Sequence, residues 1–170
     1  MNLIKNDAND VRHKIITKYT SKQVDYYYLN KYPGNTADGE NPEFADIPVL
    51  RLSEAYLIAA ESAVKLGDNA NALKYLNAIV TRANPAKSIS GVVTLERVME
   101  ERRRELVGEG HRLFDAMRNN MRIERKGAAH VSPSLRPETK SFDRTFFKTL
   151  MAIPRVEIDA NNNIVQNEGY

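Results

Sequence analysis

No cysteine occurs anywhere in the 170 residues, which excludes disulfides, thiol catalysis and thiolate-held metals. Nor is there an apolar run approaching the roughly 18 residues that a membrane helix needs. The opening Met1-Asn2-Leu3-Ile4-Lys5-Asn6-Asp7 has no apolar core of a signal peptide. Polybasic blocks are missing as well. A net charge of +3 and a pI of about 9.1 are mildly basic, but the two signs interleave, so nucleic-acid binding gains little support. HExxH and related metal-ligand spacings are absent, and no glutamate stands three residues before His111. The apolar fraction of 42% is enough for a core, at a length that suits one domain.

What the chain does have is a dense run of charge from Glu100 to Arg118. Glu101, Glu105 and Glu109 fall four apart, on one face if a helix continues through them. Like charges at that spacing cost a few tenths of a kcal/mol each when exposed, so fixed cations are expected to answer them. Arg102, Arg112 and Arg118 are the nearby candidates. The run reads as a half-buried structural ion network of Glu101, Arg102, Glu105, Glu109, Arg112, Asp115 and Arg118, with Arg51, Glu54 and Glu61 joining from an earlier helix.

Helical pattern begins after Pro48. Leu52, Ala55, Tyr56, Ala59, Ala60, Ala63 and Leu66 recur at three- and four-residue steps, and Glu61 with Lys65 makes a favourable i,i+4 pair. Gly67 is placed to stop this helix, and Asp68 or Asn69 to cap a second one carrying Ala72, Leu73, Leu76, Ile79 and Val80 up to Asn84-Pro85. This is the grammar of a tetratricopeptide-like pair: aromatic and small residues, a glycine turn, then a helix closed by proline. Thr94 predicts the cap of a third helix through Leu95, Val98, Met99, Arg102 and Leu106; Gly108 and Gly110 interrupt it before a short helix with Leu113, Phe114 and Met117. Earlier, Ile15, Tyr19, Val24, Tyr26, Tyr28 and Leu29 suggest short strands, and Lys31 to Asn35 is turn chemistry leading into a polar loop from Thr36 to Pro42. Lys126 to Lys140 reads as loop, Phe142 to Ile153 as β-prone, and Asn161-Asn162-Asn163 as a turn.

Several of these segments, in this order, resemble the C-terminal part of SusD-like (SusD/RagB) proteins. They are Ile47-Pro48-Val49-Leu50-Arg51-Leu52-Ser53-Glu54-Ala55-Tyr56-Leu57, Ala60-Glu61, Gly67, and Ala72 through Leu76-Asn77. Glu101-Arg102, Glu105-Leu106, Glu109-Gly110, Arg112, Asp115 and Arg118 follow, then Ile153-Pro154, Glu157-Ile158, Gln166-Asn167 and Gly169-Tyr170. The resemblance implies a mainly α fold of tetratricopeptide-like helical pairs with irregular loops and short β segments. Residues 1–170 then form a single domain: an irregular, short-strand segment to 45, helical pairs over 46–125, and a loop and tail over 126–170. It further implies a non-catalytic, lipid-anchored protein of the outer membrane surface that captures oligosaccharides, or in some members peptides, for a SusC-like TonB-dependent transporter, without cofactor or metal. The signal peptide, lipidated cysteine and N-terminal repeats of such proteins are not in this sequence, which is read as a C-terminal piece. The alternative is a soluble tetratricopeptide-like scaffold that binds peptides or partner proteins.

For ligand contact the candidates are Tyr26, Tyr27, Tyr28 and Tyr32, whose aromatic faces and polar rims suit sugar rings, and Arg136 in the loop after Lys126. Alternation along a strand would instead turn Tyr26 and Tyr28 onto the helices.

Overall fold

Capping chemistry sets the ends of the three main helices, α1 (Leu52–Lys65), α2 (Asn69–Ala83) and α3 (Leu95–Glu105). At Gly67, with φ of 75°, the chain turns left-handed, and the amides of Gly67 and Asp68 donate to the carbonyls of Val64 and Ala63. The Asp68 and Thr94 side chains accept from the Asn71 and Arg97 amides and start α2 and α3. The computed structural model describes residues 7–32, 34, 45–125 and 134–170, and it divides into two compact units, 1–110 and 111–170. The fold is mainly α, built of tetratricopeptide-like helical pairs with short β segments. No helix among the described residues is long and apolar enough to cross a membrane.

In the first unit α1 packs against both α2 and α3. Its inner face is Ser53, Leu57, Ala60, Glu61 and Ala63, while Leu52, Ile58 and Leu66 are exposed. That corrects the expected stripe through Leu52 and Leu66. The helix is apolar around most of its circumference, so spacing alone cannot choose the buried side. Leu76, Ile79 and Val80 of α2 and Val98 and Met99 of α3 complete the core. Two asparagines on α2 hold the following loop: Asn77 exchanges two hydrogen bonds with Ile89, and Asn69 bonds Gly91 and Val93.

Ahead of the helices, a 3-10 turn (Val11–Ile15) leads into an antiparallel hairpin, β1 (Ile16–Ser21) and β2 (Val24–Leu29). Ile15 belongs to the turn and not to the strand. Lys22 and Gln23 both adopt positive φ, 48° and 62°, which makes the two-residue loop of type I′ geometry without the usual asparagine or glycine. Thr36 to Pro42 lie outside the described residues.

The second unit holds α4 (His111–Arg118), a two-residue ladder of β3 (Ile123–Glu124) with β4 (Ser141–Phe142), α5 (Pro137–Lys140) and α6 (Arg155–Ala160). The β-prone stretch from Phe142 makes little strand: it turns into a 3-10 segment at Phe147–Thr149. Its aromatics meet tilted or edge to face instead, Phe142 with Phe146, Phe146 with Phe147 and Phe147 with Tyr170, with centroids 5.6, 5.3 and 5.3 Å apart. The tail is tied down by Gln166, which bonds both backbone groups of Ile153, and by Tyr170 Oη, which donates to the Leu150 carbonyl at 2.8 Å. Gly169, at φ of 92°, lets the tail pass the ring; a Cβ there would stand 2.7 Å from Phe147. Gly169→Ala therefore adds backbone strain to a clash, about 1–3 kcal/mol. Faster hydrogen exchange at the Leu150 and Tyr170 amides is the measurement that checks it.

Candidate functional site: a tyrosine hairpin seated on buried glutamates

Glu101, Glu105 and Glu109 lie along and just beyond α3. Glu101 is fully buried, at 0% exposure, beside Leu57, Leu76 and Val98 among the largest side chains wholly removed from water. A carboxylate survives there only with cations and hydrogen bonds around it. Arg12 supplies one: its Nη1 donates to Glu101 Oε1 at 2.7 Å and to Glu105 Oε2 at 3.2 Å, and its other edge is held by Asp10 at 2.6 Å. Within α3, Arg97 and Arg104 reach the second oxygen of Glu101 at 3.0 and 3.4 Å.

Glu105 is met from three elements. Arg12 comes from the 3-10 turn, Arg51 from the start of α1 at 2.6 Å, and Arg82 from the end of α2 at 2.6 Å. Burial pushes its carboxyl pKa up, but the Arg51 hydrogen bond and the Arg82 and Arg51 charges outweigh that and bring it down from 4.5 to about 2. Arg51 also forks onto Glu109 at 2.7 and 2.8 Å. Lys31 Nζ joins Glu109 and donates to the carbonyls of Glu105 and Val107. Glu109 titrates below its ordinary value: burial opposes this, and Arg51 and Lys31 prevail. Arg51 and Lys31 thus cap the open carbonyls at the end of α3, where the helix dipole is negative.

Sequence proximity had pointed to Arg102, Arg112 and Arg118 as the answering cations. Arg51, expected from the earlier helix, reaches Glu105 and Glu109, and the glutamates are also met by Arg12, Lys31 and Arg82, far away in the chain, and by Arg97 and Arg104 on their own helix. Arg102 is buried on α3, Arg112 is half-buried on α4, and Arg118 pairs with Asp115 three residues before it at 2.7 Å. Glu61 pairs with Lys65 at 2.8 Å, and Glu54 sits half-buried in the first turn of α1. No run or motif marks Arg12, Lys31 or Arg82; only a cation within a few residues of each element's end could have hinted at them.

Arg12 and Lys31 stand on either side of the hairpin in sequence, so the glutamates hold both of its ends. Leu29 leans on Gly108, where any Cβ would overlap it, and Tyr32 Oη donates to the Gly108 carbonyl at 3.2 Å. Alternation along β2 holds, with a phase opposite to the inward one considered above. Tyr26 and Tyr28 point outward at 51% and 52% exposure, and Tyr27 is half-buried on the other face. Arg136, just before α5, is exposed in the second unit. Among the described residues no group of three His, Asp or Glu side chains is placed to hold a metal ion.

The first unit is thus a tetratricopeptide-like helical scaffold that carries an aromatic hairpin. Residues 12–170 match the SusD family, and the chain belongs to it. It is 31% identical to the starch-binding protein SusD of Bacteroides thetaiotaomicron over 170 residues, 94% of this chain and 29% of that protein. A SusD superfamily protein of Bacteroides vulgatus is 40% identical, with a TM-score of 0.84 over 97% of this chain and 37% of the other. The surface glycan-binding protein A of Bacteroides uniformis is 25% identical, with a TM-score of 0.68 over 95% of this chain and 38% of the other. The chain therefore spans less than two fifths of the length of each of these relatives.

Proposed function

We propose that this chain serves in a non-catalytic nutrient-binding protein of the outer membrane surface, held there by a lipid anchor, which captures oligosaccharides for a SusC-like TonB-dependent transporter. The observation that carries the reading is the family match over residues 12–170, joined to relatives named for binding starch and surface glycans. The outward Tyr26 and Tyr28 are compatible with it, since half-exposed rings with hydroxyl rims can stack on sugars while remaining hydrated.

Two measurements test this. Calorimetric titration of the chain with neutral oligosaccharides should give saturable heat. Tagged protein recovered from outer membranes should retain a SusC-like transporter. Recovery in the soluble fraction with peptides or unrelated proteins, and no glycan binding, would favour a tetratricopeptide-like scaffold and sink the proposal.

A further inference from the structure

We propose that the outward face of the hairpin is a single strip for neutral glycans, made by Tyr19, Tyr26 and Tyr28; this rests on the glycan-capture reading above. Register puts the three rings on one side. Tyr19 pairs with Tyr26, Thr17 with Tyr28 and Ser21 with Val24, and cross-strand partners share a face. Tyr19 is the most open of the three, at 59% exposure. Two residues along a strand separate Tyr26 from Tyr28 by roughly 6.7 Å, and a directly paired ring lies about 5 Å across, so the rings tile a surface longer than one sugar.

Charge on the two faces sets the ligand chemistry. The outward face, Thr17, Tyr19, Ser21, Val24, Tyr26 and Tyr28, carries no charged side chain. Its polar groups are hydroxyls, which both donate and accept, as a polyol requires. Both charged strand residues lie on the other face, where Lys18 bridges to Asp25 at 2.9 Å and Thr20 Oγ1 donates to Asp25; Lys22 stands in the turn, off the strip. A polyanion would find no cation on the strip, and a charged peptide no partner. An uncharged pyranose chain leaves nothing unpaired: its CH faces meet the rings and its hydroxyls meet the rims. The strip is also pre-organised, because Arg12 and Lys31 fix both ends of the hairpin into buried carboxylates.

Calorimetry on the whole chain tests the strip with neutral hexasaccharides of glucose, mannose and xylose, and with hexagalacturonate as the anionic probe. At least one neutral chain should bind, with hexagalacturonate about tenfold weaker or worse. Tyr19→Ala and Tyr26→Ala should each weaken the neutral ligand about tenfold. Lys18→Ala, which alters only the opposite face, should bind like wild type, and Tyr19→Phe, which keeps the ring and loses the rim hydroxyl, should weaken binding less than Tyr19→Ala does. Tyr19→Thr removes the ring but keeps strand propensity, so its weakened binding reports the ring and not the hairpin's stability. Neutral binding that survives Tyr19→Thr and Tyr26→Ala, or a preference for hexagalacturonate, overturns the strip while leaving glycan capture intact. Absence of any glycan binding by wild type overturns both. A self-association that Tyr19→Ala abolishes would overturn the strip as well, by showing that a second copy covers it.

Discussion

Glu105→Ala is expected to lower the melting temperature of the 170-residue chain by roughly 6–20 °C, the equivalent of about 3–5 kcal/mol. The carboxylate is 4% exposed and is shared by Arg12, Arg51 and Arg82. Removing it leaves three guanidinium groups facing one another, of which Arg12 is itself buried. Burial and the stranded charge both act against the variant; a lost surface pair would cost under about 1 kcal/mol. Glu100→Ala is the contrast. Glu100 lies on the same helix and bonds Arg104 at 3.0 Å, but its side chain is 36% exposed. It should shift the melt only slightly. Scanning calorimetry on both decides the matter: equal melts would mean that the glutamates are ordinary surface charge.

Acid should undo the same contact in a defined window. The folded-state pKa of Glu105 is lowered, from 4.5 to about 2. A carboxyl shifted in this direction contributes stability that is fully present above its unfolded value and is lost as pH falls through the folded one. The loss therefore runs from about 4.5 down to about 2, and amounts to about 3 kcal/mol for Glu105. Glu109, shifted the same way, adds to it. The urea midpoint should be level between roughly pH 7 and 5 and fall steeply below that. Glu105→Gln should start lower and show a flatter acid limb. An acid limb as steep in the variant as in wild type would place the titrating groups elsewhere.

Local chemistry made much of the helical scaffold legible in the sequence. Gly67, Asp68 and Thr94 mark helix ends through backbone geometry that few other residues satisfy, so they could be read one at a time. The hairpin was only half visible. Strand-forming residues were evident, but Lys22-Gln23 carries none of the asparagine–glycine signal of a type I′ turn, and the outward phase of Tyr26 and Tyr28 depends on what lies beneath Tyr27 and Leu29. The glutamates were legible as residues that demand cations. Arg51 was legible as one partner, through the helix start it shares with Glu54, but Arg12 and Arg82 were not: Arg12 lies 93 positions from Glu105, and neither sits in a charged run. Short sequence separation favoured Arg112 and Arg118, and Arg118 bonds Asp115 three residues before it on the same helix. The one-turn helix at Pro137 and the helix at Arg155 escaped for a different reason: each is too short to display a period.

Attachment and display are separated along this chain. Arg12 and Lys31, which enter the buried carboxylates, sit outside the strands, and the residues that face solvent sit between them. Changes at Thr17, Tyr19, Ser21, Val24, Tyr26 or Tyr28 leave the two plugs untouched. The stretch from 13 to 30 is consequently held from outside its strands, so its outward face can change while the socket on α3 stays the same.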